Sequence, residues 1–108
     1  MSSLHFISLI SLDKLAPESR LAVSVDEKEL LIINHQNNFY VIANECGHFG
    51  VPLENGIIDN GIIYCSRHRI GFDLSTGDIT NRPWEGCEPV KTYQVEIREN
   101  QLGILVEE

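Results

Sequence analysis

Apolar and polar residues alternate with a period of two along most of this chain, and no stretch has the pattern of a long helix, which confines it to β architecture. Phe6-Ile7-Ser8-Leu9-Ile10, Leu21-Ala22-Val23-Ser24-Val25 and Glu29 to Asn34 read as strands, rich in β-branched residues and bounded by polar or Pro-containing segments. Leu12, Leu15 and Ala16 fit one helical turn, which Pro17 stops by disfavouring the α region at Ala16. The polar stretch Asn34 to Asn38 predicts a hairpin turn into Phe39-Tyr40-Val41-Ile42, because Asn tolerates positive φ. A second hairpin is expected between Thr92 to Arg98 and Leu102 to Val106, joined across Glu99-Asn100-Gln101. The expected class is all-β, a compact stack of antiparallel sheets.

A length of 108 residues and a mass of 12.2 kDa accommodate one core, so residues 1–108 are read as a single domain. Sixteen Asp and Glu against eight Lys and Arg give a formal charge of −8. Such a surface repels phosphate backbones and anionic lipid, which argues against nucleic-acid binding and favours a basic partner. The longest apolar stretches, Leu30 to Ile33 and Tyr40 to Ala43, are far shorter than the about eighteen residues a membrane span needs. Lys14 is the first basic residue, so no secretory signal is supported and a cytoplasmic location is expected.

The segment from Asn44 to Pro89 has a different character. It holds every Gly except Gly103, all three Cys, and His48 and His68. Glycine permits tight turns and close backbone approach, so these are loops folded around something. Within them, Cys46-Gly47-His48 and Cys65-Ser66-Arg67-His68 form C-x-H-x16-C-x2-H, each pair following a β-like run, Phe39 to Ala43 and Ile62 to Tyr64. A Cys and a His one or two positions apart on a turn can aim at one small volume, and two such turns supply four soft or borderline ligands. A metal centre is implied. A structural zinc uses the same ligand types in tetrahedral geometry, although zinc fingers keep both Cys in one half and both His in the other, and this chain mixes them.

At these residues the chain resembles the Rieske ferredoxins, small proteins that hold a 2Fe-2S cluster. Cys46-Gly47-His48-Phe49-Gly50-Val51-Pro52-Leu53 is similar to the family's first ligand loop, and Cys65 to His68 followed by Phe72-Asp73-Leu74 and Thr76-Gly77 is similar to the second. Arg69 stands where the family usually has Gly, and Ser66 where Pro is common. The resemblance implies that Cys46 and Cys65 bind one iron as thiolates and His48 and His68 the other through imidazole nitrogen. It also implies a cluster-binding loop subdomain within about residues 44–89 of the all-β stack. High-potential relatives add a disulfide and two hydroxyl hydrogen-bond donors, but the matching positions here are Val51, Arg67, Ile70 and Phe72. Without those donors the potential is expected near the low end of the Rieske range, which runs from roughly −150 to +300 mV.

The function so implied is one-electron transfer from a flavin-dependent NAD(P)H reductase to a terminal oxygenase. The chain is then a monomeric carrier that turns over no substrate and meets its partners transiently through charge. Two other readings stay open: a small Rieske-type subunit of a nitrite reductase, and a non-redox Cys2His2 zinc-stabilised interaction module. No nucleophile elbow, phosphate-binding Gly loop or paired-carboxylate motif is present. Cys87 reads as a free structural thiol, His5 and His35 as solvated imidazoles, and Pro83 and Pro89 as a third, shielding loop or ordinary turns. Trp84 reads either as a docking anchor or as a partly buried core residue.

Overall fold

The computed structural model describes residues 3–45, 52–66, 69–80 and 88–107. The strands are β1 (Leu4–Ser11), β2 (Arg20–Val25), β3 (Lys28–His35), β4 (Asn38–Ala43), β5 (Ile57–Asp59), β6 (Ile62–Tyr64), β7 (Gly71–Asp73), β8 (Thr92–Arg98) and β9 (Gln101–Glu107). The helical signal before Pro17 is a single 3-10 turn, Leu12–Lys14. All pairings are antiparallel and make two sheets. One has six strands in the order β1-β9-β8-β4-β3-β2, the other three in the order β5-β6-β7. The expected all-β stack and both expected hairpins are present. The short strands β5 and β7 were not foreseen, because three residues are too few to show an alternation.

Strand β3 joins the two halves of the core. Leu30, Leu31, Ile32 and Ile33 are each at most 1% exposed. Successive side chains of a strand point to opposite faces, so this run serves two cores at once. Leu30 and Ile32 pack with Ile10, Leu15, Val41, Leu102 and Ile104 inside the curl of the larger sheet. Leu31 and Ile33 pack with Ile42, Ile63, Ile70 and Phe72, between the two sheets. Full burial of each such side chain contributes about 1.5–3 kcal/mol. On the other flank, Gly103 of β9 makes room for the Phe6 ring of β1, since a Cβ at 103 would lie 2.6 Å from ring carbons.

The two-residue hairpin turns share one backbone form. Asp26-Glu27 (φ 49° and 67°), Gln36-Asn37 (51° and 64°), Asn60-Gly61 (52° and 83°) and Glu99-Asn100 (48° and 66°) each place two successive residues at positive φ. That is the mark of a type I′ turn, whose twist matches the strands it joins. Glutamate bears a steric cost there that glycine does not.

Strand β7 runs into a turn held by its own last residue. Asp73 Oδ1 accepts hydrogen bonds from the Ser75 N–H (2.8 Å), the Ser75 hydroxyl (2.6 Å) and the Thr76 N–H (3.3 Å). Gly77 follows at φ 81°, and a Cβ there would strike the Val90 carbonyl, so no other residue fits. The Val90 N–H donates to the Gly77 carbonyl (2.9 Å), tying the chain that leads to β8 onto this turn. Hydrogen bonds from the Ser75 hydroxyl, then the Ser75 and Thr76 main chain, hold the Asp73 carboxyl below its ordinary value.

Two outcomes follow from these turns. Replacing Asp26-Glu27 with Asn-Gly (Asp26→Asn with Glu27→Gly) relieves the left-handed strain and raises stability by about 0.5–1 kcal/mol, read as a higher urea midpoint at unchanged slope. An unchanged or lower midpoint contradicts the turn assignment. Because its folded pKa is depressed, Asp73 contributes stability that is fully present above the unfolded value and is lost as pH falls through the folded one. The stability advantage of the wild type over Asp73→Asn therefore narrows on acidification from neutrality through the carboxylate range. A gap that stays constant contradicts it.

Candidate metal centre

Cys65 directly follows β6, and its residue is 1% exposed. Its N–H donates to the Ile70 carbonyl (2.9 Å), and its carbonyl accepts from the Arg69 N–H (2.8 Å), so the loop begun at Cys65 is closed at its neck by main-chain bonds. Arg69 lies at φ 56°, the region that favours glycine, so the arginine takes the left-handed turn there. Ile70 and Phe72, both at most 1% exposed, anchor the outgoing chain in the core between the sheets. Neither side chain carries a hydroxyl.

Beside this loop opens a cleft of about 350 Å³ lined by Asn55, Ile57, Tyr64, Cys65, Ser66 and Arg69. The chemistry of this wall suits a soft metal centre. It presents a thiol held by a tied backbone, with an apolar side chain, Ile57, 72% exposed at the rim. Cys65 is the free cysteine among the described residues, and no three His, Cys, Asp or Glu side chains among them come together as a metal site. Cys46, His48 and His68, the other predicted ligands, lie outside the described residues, as do Val51, Arg67, Pro83, Trp84 and Cys87. Pro89 is exposed.

The larger sheet holds this layer by polar side chains that sequence reasoning missed. Arg20 Nη1 donates to the Glu54 carbonyl (3.0 Å) and to the Gly56 carbonyl. Asn44, 6% exposed, accepts at Oδ1 from the N–H groups of Leu53 (2.9 Å) and Glu54 (3.0 Å). His35 Nε2 accepts from the Gly61 N–H (3.1 Å), while Nδ1 lies 2.7 Å from Glu18 Oε2.

The solvated imidazole expected at His35 is therefore wrong: the residue is 7% exposed. The signal was the period itself. Leu31, Ile33 and His35 share one face of β3, and that face meets the smaller sheet. His5, by contrast, is exposed on β1, as expected.

Comparison with known proteins fixes the family. The model of the Rieske 2Fe-2S domain matches residues 5–94. Apoptosis-inducing factor 3 of Mus musculus is 29% identical over 76 residues, which are 70% of this chain but 12% of that protein, so the chain spans only a small part of that relative's length. The ferredoxin component of the naphthalene 1,2-dioxygenase system of Pseudomonas putida is 27% identical over 102 residues, 94% of this chain and 96% of that one. Among solved structures, the ferredoxin of carbazole 1,9a-dioxygenase from Nocardioides aromaticivorans IC177 superposes with a TM-score of 0.81 at 28% identity, over 92% of this chain and 95% of that chain. Among the described residues no helix is long and apolar enough to cross a membrane. The all-β stack, the buried thiol of Cys65 and the match over residues 5–94 converge on one conclusion: the chain belongs to the Rieske 2Fe-2S domain family, whose cofactor is the 2Fe-2S cluster.

Proposed function

We propose that this chain is a single-domain electron carrier, residues 1–108, in which Cys46 and Cys65 hold one iron and His48 and His68 the other. The observation that carries the reading is Cys65: a buried thiol on a fixed backbone at the wall of an open cleft, within a Rieske-family domain. When bound, the cluster takes up and gives back one electron. The protein's own residues do the rest. The chain has three Cys, Cys46, Cys65 and Cys87, fewer than the four thiolates of a plant-type cluster, which agrees with the two-thiolate, two-imidazole set of the Rieske family. Neutral imidazoles in place of two thiolates make the centre less negative and easier to reduce. Burial of Ile70 and Phe72 keeps water from that side of Cys65, and neither residue offers a hydroxyl to a sulfur. The potential then lies near the bottom of the Rieske range.

The electron comes from a flavoprotein NAD(P)H reductase and passes to a terminal oxygenase in the cytoplasm, and the carrier works as a monomer. Full-length similarity to a dioxygenase-system ferredoxin supports this role, and the net charge of −8 supports brief, salt-sensitive docking on basic surfaces. Exposed Ile57 at the rim of the cleft offers such a partner an apolar contact beside Cys65.

Protein-film voltammetry tests the electronic part: the expected midpoint potential is about −150 mV, and a clearly positive value contradicts it. Stopped-flow mixing with a ferredoxin-reducing flavoprotein and an aromatic-ring oxygenase tests the role. Reduction by the first and reoxidation by the second are expected, both slowing as salt rises. A chain recovered only inside a large stable complex with a sirohaem enzyme favours the nitrite-reductase subunit instead, and a colourless zinc protein favours the interaction module.

A further inference from the structure

Asn44 stands two residues before Cys46, at the exit of β4, and is tied into both sides of the segment that follows. Its N–H donates to the Glu29 carbonyl on β3 (2.9 Å). Its Oδ1 accepts from the N–H groups of Leu53 (2.9 Å) and Glu54 (3.0 Å), and its Nδ2 donates to Glu54 Oε1 (3.3 Å). One side chain thus joins the two ends of segment 45–52, which contains Cys46 and His48.

The far end of that segment is fixed several times over. Leu53 is fully buried in the core between the sheets, the Gly56 N–H donates to the Leu53 carbonyl (2.8 Å), and Arg20 holds the carbonyls of Glu54 and Gly56. At the near end, Asn44 transmits that anchorage to the residues leading into Cys46. Truncation of its amide leaves two N–H groups without their acceptor, one of them fully buried, and unfastens the loop at its neck.

We propose that Asn44 is a positioning residue for the first ligand loop: it ties residue 44 to Leu53 and Glu54, the described residues that flank the segment carrying Cys46 and His48. This rests on the reading above that those two residues are ligands. It also explains an amide rather than a carboxylate at this place. Beside Glu54, in a chain of net charge −8, an aspartate keeps the two main-chain bonds but exchanges a hydrogen bond to Glu54 for a repulsion.

The test compares holoproteins. Asn44→Ala removes every side-chain bond. Asn44→Asp with Glu54→Gln restores the acceptor for both N–H groups and reverses the donor in the side-chain pair. Gly103→Ala destabilises the fold on the far flank, where a new Cβ meets the Phe6 ring. Bleaching of the visible absorption by an iron chelator and the resonance line shape after dithionite are read for each.

The expected result is bleaching about tenfold or more faster in Asn44→Ala, with shifted g-values. The double variant should stay close to wild type, and Gly103→Ala should leave both readouts unmoved although it lowers the unfolding midpoint. Asn44→Ala behaving like Gly103→Ala overturns the proposal. So does a double variant that bleaches about tenfold or more faster than wild type, a comparison that stands even where Asn44→Ala does not fold. Wild-type protein without iron and sulfide overturns the ligand reading itself.

Discussion

The double burial of β3 is the constraint on which the rest depends. Leu30 and Ile32 close the curl of the larger sheet, while Leu31 and Ile33 form the floor on which the three-stranded sheet sits. With only three residues in each strand, the smaller sheet has little apolar area to bury by itself and depends on the surface beneath it. Seated on β3 it becomes a platform. The thiol of Cys65 is carried at the end of that platform's central strand, in the same core as Ile63 and Phe72.

Hydrophobic packing alone is non-directional, and a cluster ligand needs a fixed place. Directionality comes from polar residues that continue the apolar stripes of the larger sheet. Arg20 extends the stripe containing Ala22, His35 extends Leu31 and Ile33, and Asn44 extends Ile42. Each ends its stripe where the second layer presents main-chain groups that need partners: the carbonyls of Glu54 and Gly56, the N–H of Gly61, and the N–H groups of Leu53 and Glu54. Satisfying those groups orients the smaller sheet on the larger one, and with it Cys65 at the end of β6.

Much of this was legible in the sequence, and the reason differs by element. Strands β1 to β4, β8 and β9 are long enough for a period of two to show, and the turn at Gln36-Asn37 falls inside the predicted Asn34 to Asn38 stretch. Strands β5 and β7 are defined by pairing with β6 rather than by their own pattern, and so escaped notice. Cys65 was legible in the sequence because soft donors in Gly-containing turns are chemically specific, and the fold places it buried at the end of β6. The three ties were not, because Arg, His and Asn at strand ends read as solvent-facing until the second layer above them is known. His35 is the plainest case: its place in the stripe of Leu31 and Ile33 was visible, but the polar turn beside it suggested water.

The account stands or falls on mixed ligation. The most direct measurement is pulsed electron paramagnetic resonance of the dithionite-reduced protein labelled with nitrogen-15 in histidine. The account predicts hyperfine coupling to two histidine nitrogens, one lost in each of His48→Cys and His68→Cys. A reduced protein without paramagnetic signal, or a signal with no coupled histidine nitrogen, would contradict it.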